Sequence, residues 1–424
     1  MVGGWHQASV VSACFADLGH DVTGIADDGA TVEGLNAGQA PVYEPGLADL
    51  LRHNLAAGRL RYTTSYADGL RQAEFVFLSI DTPVAEGDES DLKPVLDAAE
   101  RILGSASGPF TLCVTSQVPV GTCKSLSDSA RQLKPPVKIA VTYVPEFLRL
   151  GTAIDTFRNA DRFVIGADDP AAADRVARLY QPLDRPMLMT GLNTAEMGKH
   201  ASNAFLATSI SFINEIANLC EATGADATQV AEIMKLDRRI GRHAFLSAGL
   251  GYAGGTLGRE VRALHHLGER HQVETSLVDA AQEVNAQRVG RLLERIRRLL
   301  GSLAGQTIAI LGLTYKSGTS TLRRSAALDL IDRLLAERAD VRAFDPLASG
   351  QELARPAFTM CSDLASAARG ASLLVLIAPW PSMTTAELAE CRAIMKTPKI
   401  MDSGNFLSAQ SLVAAGFEYA GVGR

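Results

Sequence analysis

The sequence predicts an α/β protein with two doubly wound sheet units joined by a long central helix and an all-α middle segment. Three observations predict it. In both terminal thirds, short apolar runs alternate with helical patterns, the order of parallel strands covered by helices. Leu192–Thr223 is one amphipathic stretch without a proline. The 424 residues suggest about three domains, with expected limits 1–190, 191–287 and 288–424.

In the first unit, Val10–Gly19 is an apolar, Ala-rich helix pattern and Asp21–Ile25 reads as a short strand. Only Met1 and Val2 precede Gly3, so the strand that should open a dinucleotide-binding unit is expected to be missing, as a mis-assigned start would leave it. Phe75–Ser79, Phe110–Thr115 and Val137–Tyr143 are apolar strand patterns, and Arg162–Gly166 closes the unit. Val289–Leu303 is a basic helix with Arg291, Arg295 and Arg298 on one face, read as solvated. The last unit follows as strand Thr307–Leu311, helix Ala326–Glu337, and strands Asp340–Phe344, Leu373–Ile377 and Lys399–Met401.

Composition removes several function classes. A net charge of −6 gives no global basic field for nucleic acid or an anionic membrane. The longest uncharged runs are broken by Pro, Gly and Ser, so no membrane span is expected. Six cysteines are scattered without C-x-x-C, which reads as reduced thiols in a cytoplasmic protein, with no disulfide frame and no metal site.

The chemistry centres on Leu250–Glu260, where Gly251, Gly254, Gly255 and Gly258 let the backbone turn tightly and approach a ligand closely. Upstream lie Lys199-His200-Ala201-Ser202-Asn203, Asp237-Arg238-Arg239-Ile240-Gly241 and Phe245-Leu246-Ser247-Ala248-Gly249. In this order and spacing the segment resembles the central domain of the UDP-glucose/GDP-mannose dehydrogenase family. The likeness extends to Val42-Tyr43-Glu44-Pro45-Gly46-Leu47, Asp81-Thr82-Pro83, Pro145-Glu146-Phe147-Leu148-Arg149 and Gly312–Thr319. It implies Rossmann-like domains at both ends. It also implies NAD-dependent oxidation of a sugar C6 alcohol to a carboxylate, through a thiohemiacetal and a thioester on a cysteine.

The resemblance carries over residue by residue. Glu146 matches the glutamate that orients the catalytic water, and Lys199 and Asn203, four apart on one helix face, match active-site positions. Thr256 stands where the family has its nucleophilic cysteine, and Glu260 where it has an aspartate. Phe147, Leu148, Arg239, Phe245, Gly249, Lys316 and Arg323 match positions on the sugar nucleotide, with Arg239 reaching across a dimer. Gly3, Asp27, Thr82 and Gln117 are the candidate coenzyme contacts. Other positions depart from the pattern: Gln117 replaces a threonine, Val144 an asparagine, Leu150 a glutamate, Thr321 an aspartate, and Ser403-Gly404-Asn405 lacks an arginine.

Two departures bear on chemistry. The three glycine positions of G-x-G-x-x-G become Gly3, Trp5 and Ala8, and the acidic residue that should hold the ribose is Ala26, with Asp27 and Asp28 as partial substitutes. Losing the ribose contact costs about 1.5–3 kcal/mol. Thr256 is far less acidic than a cysteine, whose pKa is about 8.5, and the sequence places no histidine beside it, leaving His243, His265 and His266 as candidate bases. Three readings follow: a dehydrogenase of altered or weak activity; a non-catalytic binder of UDP-glucose or a similar nucleotide sugar; and a different reaction on such a sugar using Lys199, Asn203, Glu146 and Glu260. The implied assembly is a homodimer, or a hetero-oligomer with an active homologue, formed through the central helix.

Overall fold

A computed structural model describes residues 1–83, 91–134, 136–253, 256–322, 324–348, 353 and 357–424. Its internal contacts divide the chain into two units, Met1–Ser202 and Asn203–Arg424. The boundary falls inside the central helix, which runs over Leu192–Thr223 as the sequence predicts.

In the first unit, Val22–Ile25 pairs in parallel with Leu60–Thr63. A five-stranded sheet holds Phe75–Leu78, Phe110–Val114, Ile139–Tyr143, Phe163–Ala167 and Met187–Thr190. Pairing is parallel except between Ile139–Tyr143 and Phe163–Ala167. The first strand, expected to be missing, is present as a stub. Val2 bridges Ile25 on one side and Leu78 on the other, both in parallel. Backbone bonds from Val2 N to Phe77 O (2.7 Å) and from Gly3 N to Ile25 O (2.8 Å) hold it there. With the stub counted, the sheet has the order of a doubly wound fold, the first strand at its centre. Met187–Thr190 adds a strand beyond Phe163–Ala167 that the sequence pattern did not mark.

Strands buried on both faces read as continuous apolar runs, and Phe110–Val114 is buried at every position. One face packs Phe15, Phe77, Phe157, Phe163 and Tyr180, with the Phe163 and Tyr180 rings 4.4 Å apart. The other packs Leu78, Ile102, Leu112 and Val114.

The second unit carries helices Ala227–Leu236, Leu257–His271, Ser276–Ala286 and Arg288–Leu300 ahead of a parallel sheet. Across that sheet lie Thr359–Met360, Asp340–Phe344, Thr307–Leu311, Leu373–Leu376, Lys399–Asp402 and Glu418–Gly421, all paired in parallel. The same doubly wound order recurs. The basic helix is not simply solvated. Arg295 pairs with Glu221 and donates to the Gly421 carbonyl at 2.6 Å, while Arg288 is buried and bonds the Gly249 carbonyl at 2.9 Å.

Gly312 ends the central strand of this sheet at φ +83, and a Cβ there would sit 1.9 Å from the Ala378 carbonyl oxygen. Gly312→Ala therefore combines a disfavoured dihedral with a backbone clash. It is expected to cost more than about 2 kcal/mol in urea unfolding; a loss below about 0.5 kcal/mol would show that the turn relaxes freely.

Candidate active site

The turn after the strand stub leads into helix His6–Asp17. Gly3 adopts φ +138, and a Cβ would lie 2.2 Å from the Ser79 carbonyl oxygen, so the glycine is required by the sheet itself. Trp5 caps the helix in extended backbone with no side-chain capping bond, and its indole is 49% exposed. His6 is buried and meets Glu44 at 2.7 Å. Glu44 also accepts from Gly151 N and Ala153 N, both at 2.7 Å. Burial raises its pKa, but the bonds from His6, Gly151 and Ala153 outweigh that and hold it below the usual carboxylate range. The two acids after Ala26 are engaged. Asp27 takes both arms of the Arg101 guanidinium at 2.6 Å, and Asp28 caps helix Gly29–Asn36 through Thr31 N at 2.8 Å.

Thr82 is buried at the end of strand Phe75–Leu78 and donates to the Gln117 carbonyl at 3.3 Å. Nearby, Glu196 of the central helix accepts from Gly121 N (2.6 Å) and Cys123 N (2.8 Å). These amides open helix Thr122–Arg131, so a buried carboxylate caps a positive helix end. His200 meets the Val118 carbonyl at 2.9 Å. The sequence pattern singled out Lys199 and Asn203 alone. Glu196, Lys199, His200 and Asn203 are all buried, and their i, i+3, i+4, i+7 spacing was the available signal.

Lys199 donates to the Glu146 carbonyl, and its ammonium lies 4.5 Å from the Phe147 ring centroid. Arg162 sits at 4.3 Å from the same ring. Phe147 thus holds two cations by cation–π contact. Leu148 packs against the core that contains Phe15 and Phe157. Removal of the Glu146 carboxyl from water pushes its pKa up to about 7, against the pull of Lys199. The residue keeps part of its surface exposed.

In the second unit, Asn203 Nδ2 donates to Glu260 Oε1 at 3.3 Å, both side chains buried. Thr256 caps helix Leu257–His271 with no side-chain capping bond, and it is exposed. Gly254 and Gly255 lie outside the described residues. His243 is exposed. His265 is nine residues beyond Thr256 on the helix, roughly 14 Å along its axis and on the opposite side, so neither it nor His266 serves Thr256 as a base. Gly249 N bonds Asn214 Oδ1 at 2.8 Å, and a Cβ on Gly249 would meet the Ser403 carbonyl at 3.0 Å. The loop is thereby seated against Ser403-Gly404, where the arginine is missing. The Phe406 ring lies 2.3 Å from where a Gly404 Cβ would start, filling that exit. Phe245 is 42% exposed. Arg239 is bound to Asp237 at 2.6 Å and otherwise solvated. Lys316 is exposed, and Arg323 lies outside the described residues.

Doubly wound sheets at both ends, a tight strand–helix turn at Gly3 in the first and a helical segment between them define an α/β protein with Rossmann-like domains. Comparison with known proteins makes this specific. Residues 2–184 match the NAD binding domain of the UDP-glucose/GDP-mannose dehydrogenase family, residues 193–287 its central domain, and residues 309–409 its UDP binding domain. The chain belongs to this family. It is 37% identical over 428 residues to UDP-glucose 6-dehydrogenase YwqF of Bacillus subtilis, covering 100% of this chain and 97% of that protein. It is likewise 37% identical over 439 residues to UDP-glucose 6-dehydrogenase of Pseudomonas aeruginosa, with the same coverage. A solved UDP-glucose dehydrogenase from Pyrobaculum islandicum superimposes with TM-score 0.90 at 31% identity, covering 100% of this chain and 96% of that one.

Glu146 makes stability depend on pH. Its folded pKa of about 7 lies above the unfolded 4.5, so the native state favours the protonated form. That contribution is complete below pH 4.5 and is lost as pH rises through about 7. Glu146→Gln is therefore expected to gain about 1–3 kcal/mol on wild type between pH 5 and pH 8 in urea unfolding. Parallel curves for the two proteins would contradict it.

Proposed function

We propose that this chain binds a nucleotide sugar, UDP-glucose or a close relative, on a dehydrogenase scaffold whose oxidation of the sugar C6 alcohol is weak or lost. The observation that carries this reading is the exposed Thr256 hydroxyl at the start of helix Leu257–His271, where the family resemblance calls for a thiol. A thiol ionises near neutrality and forms an acyl intermediate that water cleaves. A threonine hydroxyl is far less acidic, and its ester is a poorer acyl donor to water.

The first unit supports the same reading. Its turn at Gly3 is built, but three positions depart from the NAD-binding pattern that the resemblance implies. An indole replaces the glycine facing the diphosphate, Ala26 offers no ribose acceptor, and Asp27 is committed to Arg101. That ion pair is exposed and worth ~0–1 kcal/mol, so it lowers rather than forbids recruitment of Asp27. The coenzyme is expected to bind weakly. What the chain retains is positional. Lys199 presents a cation able to polarise a sugar oxygen, Glu146 can exchange a proton near neutral pH, and Asn203 with Glu260 orders the central segment. Binding without oxidation fits this set, and the family resemblance implies the sugar-nucleotide contacts Phe147, Leu148, Phe245, Gly249, Lys316 and Arg323, with Arg239 supplied to a second subunit.

A homodimer, or a pair with an active homologue, is supported by one face of the central helix. Phe205, Phe212 and Leu219 recur at seven-residue spacing and are 72%, 44% and 57% exposed, an apolar stripe that water disfavours.

Calorimetric titration is expected to show UDP-glucose binding at least ~10-fold tighter than NAD, with Trp5 fluorescence reporting the coenzyme arm. NADH absorbance is expected not to accumulate over many turnovers. Thr256→Cys alone is expected not to restore turnover, because the coenzyme contacts stay broken. Sustained NADH production by the wild-type chain would overturn the reading.

A further inference from the structure

The last turns of helix Leu257–His271 carry a side-chain cluster that none of this chemistry uses. The ligand atoms of His265, His266 and Glu269 all lie within 4.8 Å of one another. Glu269 Oε2 is 3.0 Å from His266 Nδ1, and Oε1 is 3.5 Å from His265 Nε2. On the other side of the His265 ring, Nδ1 meets Asp279 Oδ1 at 2.8 Å. Asp279 belongs to the next helix, Ser276–Ala286, and accepts from the Thr275 hydroxyl at 3.0 and 3.2 Å.

The geometry points to a site for a borderline divalent cation such as Zn²⁺, held by His265 Nε2, His266 Nδ1 and the Glu269 carboxylate, with Asp279 orienting His265. Zinc bonds imidazole nitrogen and carboxylate oxygen at about 2.0–2.2 Å, and tetrahedral donors then stand roughly 3.4 Å apart. The two donor separations to Glu269 bracket that spacing, and the two imidazole rings stand with their centroids 5.4 Å apart. The Asp279 contact is the more telling feature. A carboxylate on Nδ1–H fixes the tautomer that leaves the Nε2 lone pair for a metal, the arrangement that usually backs a ligating histidine. Two imidazoles disfavour Mg²⁺ and Ca²⁺, which prefer oxygen donors. The side chains of His265, His266 and Glu269 are 39%, 27% and 62% exposed, so an ion reaches them from solvent and one coordination position stays open. The site lies at the far end of the helix from Thr256 and clamps that helix to its successor. Cysteine spacing alone suggested no metal, because these ligands are vicinal histidines on a helix.

The competing explanation is that these are ordinary solvated His–carboxylate pairs. Tag-free, EDTA-treated full-length protein titrated with Zn²⁺ by calorimetry separates the two. One ion per chain is expected. His265→Ala and Glu269→Gln should each weaken binding by at least ~10-fold, and Asp279→Asn by about 10-fold. His271→Ala, an exposed histidine just outside the cluster, should leave it unchanged. Co²⁺ loading should give a low-symmetry visible spectrum that His265→Ala abolishes. All four side chains replaced carry exposed surface, and circular dichroism checks that each variant is folded. Absence of saturable binding, equal affinity in Glu269→Gln, or equal loss in His271→Ala would overturn the site.

Discussion

Met1, Val2 and Gly3 hold the first unit's sheet together. Val2 stands between Ile25 and Leu78, and Ile25 N to Met1 O (2.7 Å) and Ser79 N to Val2 O (2.8 Å) complete the lattice of backbone bonds on both sides. Without these residues Val22–Ile25 and Phe75–Leu78 would face each other across a gap, each with a row of unsatisfied peptide groups that burial makes costly. The stub also fixes where helix His6–Asp17 begins, and therefore where Trp5 stands. His6 then ties that helix start to Glu44, and Glu44 to the backbone of Gly151 and Ala153. Three distant segments are thus registered on one buried carboxylate. The Gly3 conformation serves this sheet whether or not a dinucleotide occupies the turn.

Much of the fold was legible where its strands are buried on both faces. Thr307–Leu311 and Leu373–Leu376 fall where their apolar runs lie, and the central helix matches its proline-free pattern. The strands that escaped notice are short or half-exposed. Leu60–Thr63 alternates buried and exposed residues over four positions, Met187–Thr190 has no buried position, and Thr359–Met360 is two residues long. Such segments carry too few side chains for a period-2 signal to emerge. The first strand lacks a sequence signal for a different reason. A strand held mainly by backbone bonds needs only a residue or two in register, which hydrophobic periodicity cannot report.

Candidate-site positions can be read from the spacing, but their partners cannot. Spacing placed Lys199 and Asn203 on one face of the helix, but only coordinates show Lys199 on the Glu146 carbonyl and the Phe147 ring, or Glu196 capping helix Thr122–Arg131. Likewise Gly404 reads as a lost arginine in the sequence, while the structure shows the Phe406 ring occupying the space. A substitution of that kind is accommodated by its neighbours, so the loop that seats Gly249 keeps its packing although a charge has gone.

These contacts also weigh on what the surviving polar residues mean. Glu196 is required by a helix end, Asn203 by the buried carboxylate of Glu260, and Glu44 by three donors. Each would be destabilising to remove, because a buried polar group left without its partner costs about 1–3 kcal/mol. Each therefore has a structural role of its own. Thr256 and Trp5 differ in kind. Both are exposed, and neither makes a side-chain capping bond at the helix start it occupies. Thr256 and Trp5 are therefore the positions at which substitution tests chemistry with the least disturbance of the fold.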